Sequence, residues 1–411
     1  MGEVSKFTVV TEGTVTTPQG FRAGGLHCGL KKTSRNDIGA IVCEVPAVAA
    51  AVYTLNVFQA APLKVTRDSL ASSSQRLRAI VVNSGNANAC TGKQGEEDAY
   101  AMRAAAAEAF GLRPEEVAVA STGVIGELLP MERVNAGIHG LPAVVSAGAE
   151  GAEEFCQAIL TTDLVKKEVC VKLNVDGREI SIAGAAKGSG MIHPNMATML
   201  GFVTTDAAIE AEALQGLLRQ VTDATFNMIT VDGDTSTNDM LLAMSSGLAG
   251  NEPLTPEHPA WESFAAGFGY VCEVLAKAIA RDGEGASRLV EVNVEGAVSD
   301  LSARAIAKTV IGSSLVKSAV FGADANWGRI IAAVGRAGEP VNPDTVDISL
   351  GSIQVLTGSR PVPFDEEEAL AYLQGDTVVI HVHLHNGEGR ATAWGCDLTY
   401  DYVRINAAYR T

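Results

Sequence analysis

Across 411 residues there is no Cys-x-x-Cys spacing, no block of Lys or Arg, no low-complexity tract and no internal repeat. The seven cysteines, at 28, 43, 90, 156, 170, 272 and 396, are odd in number and far apart. That excludes a disulfide framework of the small secreted kind and predicts reduced thiols in a cytosolic compartment. Lys31-Lys32 and Lys166-Lys167 are only pairs and the net charge is −17, so no nucleic-acid partner is expected. No run of consecutive apolar residues reaches the ~18 of a membrane span. Met1-Gly-Glu-Val-Ser-Lys-Phe does not read as a charged start followed by an apolar signal core. The expectation is a cytoplasmic protein with neither membrane nor nucleic acid as partner.

What the chain does contain is 47% hydrophobic and 19% charged residues, the balance of a compact fold. Its length exceeds the roughly 250–300 residues at which one hydrophobic core stops growing, so at least two folding units are expected. Apolar runs predict a strand over 78–83 feeding a loop at 83–92, a helix over 96–110 closed by Gly111, and a strand over 117–121 that delivers Thr122 and Gly123. Strands over 169–175 and 178–183 flank Asp176-Gly177, a two-residue hairpin signal, and run into a loop at 187–198. Helices follow over 207–222 and 259–281, the second ending just before Asp282-Gly-Glu284. From Ser287 the pattern changes to strands over 289–294, 346–350 and 377–385, with a helix over 364–374 closed by Gly375. The class is α/β, with a domain boundary near residue 286.

The segment Lys187 to Leu200 reads Lys-Gly-Ser-Gly-Met-Ile-His-Pro-Asn-Met-Ala-Thr-Met-Leu. It sets a threonine after a small residue in a lysine-led, glycine-punctuated loop. Attack of the Thr198 hydroxyl on the Ala197 carbonyl would shift the acyl group to oxygen, and hydrolysis of that ester would free a chain beginning with threonine. The new terminus carries nucleophile and base together. An α-amine with a pKa of ~7.7–8.0 is neutral in roughly one molecule in seven at pH 7, against about one in 2,500 for a lysine. Taken alone, the loop is a weak signal and reads more readily as a strand-to-strand turn, with Gly188 and Gly190 supplying permissive dihedrals, Pro194 fixing the backbone and Met196, Met199 and Leu200 packing.

Seven further segments stand in a telling order: Asn83-Ser-Gly-Asn-Ala-Asn-Ala-Cys-Thr-Gly92, Ser121-Thr-Gly-Val-Ile-Gly126, Thr161-Thr-Asp163, Asp232-Gly-Asp-Thr-Ser-Thr-Asn-Asp239, Asp282-Gly-Glu-Gly-Ala286, Gly322-Ala-Asp-Ala-Asn-Trp-Gly-Arg329 and Ala393-Trp-Gly-Cys-Asp-Leu-Thr-Tyr-Asp-Tyr402. Together with the Ala197-Thr198 junction, they resemble the ornithine acetyltransferase family, the bifunctional glutamate N-acetyltransferases of arginine biosynthesis, over nearly the whole chain. The resemblance implies a core of two sheets sandwiched between helices (αββα) with smaller α/β lobes. The core would span 1–286, and a C-terminal α/β domain at 287–411 would return its tail to the active site. It implies processing into chains 1–197 and 198–411 that pair as α2β2.

It also implies residue roles. Thr198 matches the nucleophile that takes acetyl from N2-acetylornithine and hands it to glutamate. Thr122 and Gly123 match the oxyanion-stabilising pair. Thr161, Lys187, Glu284, Asn406 and Thr411 match substrate contacts. Lys187 would hold the α-carboxylate that both substrates carry, and Glu284 the side-chain amine of ornithine. No metal and no resident cofactor are implied, and acetyl-CoA is a co-substrate for some members. Two departures bear on fine substrate preference: Leu164-Val165 stands where a threonine or serine and a proline are more usual, and Ala408 where an acidic residue is common.

Competing readings are a metal site at His381, His383 and His385, which would share one strand face, and a nucleotide loop at 184–190, which has neither the Gly-x-x-x-x-Gly-Lys spacing nor a third dinucleotide glycine. A noncatalytic subunit and a self-cleaving amidase or aminopeptidase that hydrolyses its acyl-enzyme with water complete the set.

Overall fold

A computed structural model describes residues 6–193 and 199–408. The chain divides into two compact units: Met1–Gly188 with Asn195–Asp223 and Thr235–Leu275, and Ser189–Pro194 with Ala224–Asp234 and Ala276–Thr411. The sequence placed a boundary near 286. The main changeover here falls inside the helix Trp261–Arg281, and two short excursions of the chain also join the second unit. Each unit carries one mixed sheet, so the class is α/β.

In the first unit nine strands form one sheet, and Ile38–Tyr53 is its spine. Ile38 to Val42 pair antiparallel with Asn83 to Ala79, and the register then shifts before Ala47, across Pro46. Proline cannot donate to a ladder, so a bulge is where it is tolerated. Beyond the bulge, Val48 to Tyr53 pair with Ser245 to Met240. Each arm buries one face in a shared core: Ile80, Val82, Ala118 and Ala120 from one, and Ala185, Phe202, Leu242 and Met244 from the other, with Phe155 and Ile159 of the helix Ala149–Ile159.

The hairpin Lys167–Val175 and Arg178–Lys187 forms as its Asp-Gly turn predicts, with Asp176 at φ 54° and Gly177 at 77°. Its second strand pairs with Leu200–Thr205, placing Lys187 opposite Leu200. Leu200 in turn pairs in parallel with Met240. Arg76–Asn86 runs three residues further than expected, because Asn83, Ser84 and Gly85 still pair with Ser121, Thr122 and Gly123 of Val117–Val124. Thr122 and Gly123 are therefore inside the strand's last turn of pairing rather than in a loop beyond it. The following helix, Gly92–Phe110, starts four residues before the expected one.

One helix among the described residues, Trp261–Arg281, is long and apolar enough by composition to cross a membrane, at a mean hydropathy of 1.3. The absence of an unbroken apolar run had hidden this. Its Phe264, Phe268, Val271, Cys272 and Leu275 are fully buried in the first unit, as in a core helix.

The second unit holds a seven-stranded sheet in which Leu289–Ala297 lies between Thr377–His383, parallel, and Gly389–Cys396, antiparallel. Three helices there were not anticipated: Asp300–Ile311, Ser314–Phe321 and Trp327–Gly335. Ser299, Ser313 and Asn326 cap them by accepting the backbone N–H groups of Ser302, Val316 and Arg329. The three-histidine face does not form, since the strand ends at His383 and His385 adopts φ 53° and bonds Asp347 at 2.8 Å.

Candidate active site

Four of the residues singled out in the sequence fall in the first unit and two in the second. Ala197, Thr198 and Thr411 lie outside the described residues.

In the first unit, three strand ends meet. Lys187 closes one strand and is buried, and its Nζ donates to Thr122 Oγ1 at 3.3 Å. Thr122 is half-buried, so its hydroxyl stays reachable. With its oxygen accepting from the ammonium, the Thr122 O–H is left to donate elsewhere, and polarisation by the cation strengthens that donation. Gly123 adopts φ 135°, and a Cβ there would stand 2.3 Å from the Gly85 carbonyl carbon, so only glycine fits.

Asp163 organises the other side. Its Oδ1 lies 2.8 Å from Lys167 Nζ, with both side chains wholly buried, and also accepts the Gly188 N–H at 2.7 Å. Its Oδ2 accepts the Thr161 N–H at 3.0 Å. Burial alone would raise this carboxyl, but the ammonium groups of Lys187 and Lys167, with the hydrogen bonds from Lys167 and Thr161, outweigh it and hold Asp163 well below the usual carboxylate range. Asp163 thus fixes Thr161 and Gly188 on either side of Lys187.

Two neighbours come from the segment before Met240. Asn238 Nδ2 donates to the carbonyls of Ala87 at 2.5 Å and Ser121 at 2.8 Å, locking the residue before Thr122. Asp239 is buried, and its Oδ2 has no hydrogen-bond partner among the described residues. Burial pushes its carboxyl well above the ordinary value, against the opposing effects of Ser236 and Lys187. Two buried acids near one lysine are thereby driven in opposite directions.

In the second unit, Glu284 sits just past the end of Trp261–Arg281. Its N–H donates to Ser189 O at 3.0 Å, and Ser189 Oγ donates to Asp282 O at 2.7 Å. Asn406 Nδ2 donates to Glu284 Oε2 at 2.8 Å from the C-terminal helix Tyr400–Ala407. The carboxylate lies against Gly190, where a Cβ would come within 2.4 Å of it. Asp232 accepts the N–H groups of Met191 at 2.7 Å and Ile192 at 2.9 Å, which pins the chain leading to the Ala197-Thr198 junction. His193 meets Thr230 Oγ1 at 2.9 Å; burial, then the nearby Lys308, lowers its pKa to about 4, so its ring is neutral at pH 7.

The structure therefore joins Thr122 to Lys187 and Glu284 to Asn406, and links Thr161 to the first cluster through Asp163. Sequence reasoning passed over Asp163 and Lys167 as ligand-holding groups, and Asn238 and Asp239 as cluster members, although three of the four stand in quoted motifs. All four stand in polar stretches, Thr161-Thr-Asp163, Lys166-Lys-Glu168 and Asp232 to Asp239, so no local signal marked them for burial. A cavity of about 460 Å³ opens elsewhere in the first unit, around Tyr53, Arg67, Gln215 and Arg219, and shares no residue with the cluster. Chemistry, and not cavity volume, marks the site.

A model of the ArgJ family matches residues 22–411. The arginine biosynthesis bifunctional protein ArgJ of Geobacillus kaustophilus is 60% identical over 410 residues, covering 100% of this chain and 99% of the relative. A crystal structure of ArgJ from Bacillus halodurans is 60% identical, covers 52% of this chain and 100% of its own, and superposes with a TM-score of 0.51. Ornithine acetyltransferase of Mycobacterium tuberculosis, solved with ornithine, is 39% identical, with 46% of this chain and 100% of that one covered and a TM-score of 0.43.

Proposed function

Because the chain belongs to the ArgJ family, and so is an acyltransferase of arginine biosynthesis, we propose that it carries acetyl from N2-acetyl-L-ornithine to L-glutamate through an ester on Thr198. The Lys187–Thr122 contact, beside a glycine that no other residue can replace, is the observation that carries this reading. The chain first cleaves itself between Ala197 and Thr198. The Thr198 hydroxyl then gives its proton to its own α-amine and adds to the acetyl carbonyl. Thr122 O–H and Gly123 N–H receive the oxyanion, each such donor contributing about 3 kcal/mol in the transition state. The C–N bond breaks, ornithine leaves with the proton, and the amine of glutamate attacks the ester in the second half.

Lys187 binds the α-carboxylate common to both substrates, Thr161 adds a contact, and Glu284, steadied by Asn406, takes the side-chain ammonium of ornithine. Thr411 completes the set of substrate contacts. The processed chains 1–197 and 198–411 stay together and pair as α2β2 in the cytoplasm. The proposed reaction calls for no resident cofactor, and acetyl-CoA as sole donor is the assay that separates a bifunctional from a monofunctional enzyme.

Denaturing mass analysis tests the premise: scaling 42.7 kDa by 197/411 and 214/411 gives fragments of about 20 and 22 kDa, the larger beginning Thr-Met-Leu-Gly. Thr198→Ala should give one full-length species without transfer, and Thr198→Ser should keep some processing. Normal transfer by the alanine variant would sink the mechanism. Release of acetate at the same rate with and without glutamate would instead establish the amidase.

A further inference from the structure

The proposed reaction poses a recognition problem that Lys187 does not solve. Donor and acceptor share an α-carboxylate, but the donor's side chain ends in an ammonium and the acceptor's in a second carboxylate. One site must receive both in turn.

We propose that Lys31 is a second cationic residue of the first-unit site and receives the side-chain carboxylate of a dicarboxylic amino-acid acceptor. The inference rests on the acetyl-transfer reading above. Its basis is placement. Gly85 pairs in register with Gly123, and the position of a Cβ on Gly85 would be 3.3 Å from Leu30 O and 3.5 Å from Lys31 Cγ. The stem of Lys31 therefore runs over Gly85, the register partner of Gly123, while Lys187 reaches the oxyanion pair through Thr122.

The ammonium of Lys31 is half-buried and gives one hydrogen bond, to Asn36 O at 2.6 Å. Among the described residues it makes no ion pair. The nearby carboxylates are already engaged: Asp37 accepts the N–H groups of Cys28, Leu30 and Lys31 and meets His27, and Asp163 is matched by Lys167. An unspent cation in a protein of net charge −17 is a place for an anion.

The charge of Lys31 also depends on pH. Burial, helped by Arg35 and Lys187, lowers Lys31 to about 8, with Asp37 and Asp163 opposing. Those four are the charged groups that act on it most strongly. An arriving carboxylate favours the ammonium, whereas above about pH 8 the neutral amine no longer offers it a charge.

Two-substrate kinetics on the processed enzyme test this with Lys31→Met and Lys31→Arg, using glutamate and its neutral amide analogue glutamine as acceptors. In K31M the KM for glutamate should rise about tenfold more than the KM for acetylornithine, as loss of one charge-assisted contact predicts. The glutamate-over-glutamine ratio of kcat/KM should fall by the same factor, and K31R should restore both. In the wild type the KM for glutamate should climb as pH passes about 8, and in K31R that climb should vanish. Equal changes for donor and acceptor, or undiminished discrimination in K31M, would overturn the assignment. A wild-type enzyme that acetylates neither acceptor would overturn the acetyl-transfer reading instead.

Discussion

The polar cluster of the first unit and that of the second are built by different means. Around Lys187, every supporting group sits at a strand end or in a loop held by a buried ion pair, and Asp163, Lys167 and Asn238 are all nearly inaccessible. Around Glu284, the backbone N–H is held by the Ser189 carbonyl and the carboxylate by one amide on Tyr400–Ala407, a helix with no buried residue. The first arrangement suits groups that must not move while charge develops; preorganised donors act without reorganisation. The second suits a contact with the variable end of a substrate. Perturbing the first should therefore cost stability and turnover together, and perturbing the second should cost substrate preference alone.

The sharpest way to break that contrast is Lys167→Met, which leaves Asp163 charged, buried and unpaired on one side. Loss of one partner of a buried pair should lower the unfolding free energy by about 3–5 kcal/mol, read from denaturant midpoints. A loss below about 1 kcal/mol would mean that the cluster is not fixed as described.

Gly123→Ala comes next. Its φ of 135° and the 2.3 Å approach to Gly85 predict a loss of about 1–3 kcal/mol from strain, and at least ~100-fold in kcat from displaced oxyanion donors. Unchanged turnover in a folded variant would remove Gly123 from the oxyanion role.

The two acids near Lys187 sharpen the comparison through pH. Asp163 has a native pKa below its unfolded value of about 3.9, so its contribution is present above that pH and fades as pH falls toward the native value. Asp239 has a native pKa above the unfolded one, so it destabilises increasingly as pH rises from about 3.9 toward the native value. Asp163→Asn should thus flatten the acid limb of the stability curve, and Asp239→Asn should raise stability at neutral pH. Parallel behaviour of the two variants would contradict the opposed environments.

The smallest effect is expected in the second unit. Asn406→Ala removes one hydrogen bond that an exposed amide gives to the buried Glu284 carboxylate, and water can take the amide's place, so unfolding should shift by about 1 kcal/mol or less. The KM for acetylornithine should nonetheless rise several-fold. A large stability loss with no change in KM would make Asn406 a structural clamp.

Much of the fold was legible where a short-range signal decides it. Asp176-Gly177 dictates its hairpin, and the periodic apolar positions with few breakers give the helices Ala211–Ala224 and Trp261–Arg281. Ile38–Tyr53 was not legible. Its alanine- and valine-rich run is buried on both faces beyond Pro46 and has no alternation to read, so only its two partners define it. The helices from Asp300 to Gly335 were missed because their serine and asparagine caps were not weighed against the strand-like stretches around them.

The sequence by itself determined the family, the candidate nucleophile and the residue types of the site, because ordered motifs survive as local strings. Tertiary structure alone decided that Lys187 touches Thr122, that Asp163 is spent on Lys167, that Asp239 is left without a partner, and that Lys31 lies over Gly85. These are matters of strand register and burial. Two residues 65 positions apart meet only after the sheet has set which strand ends coincide, and a charge acquires its value only once the water around it is gone.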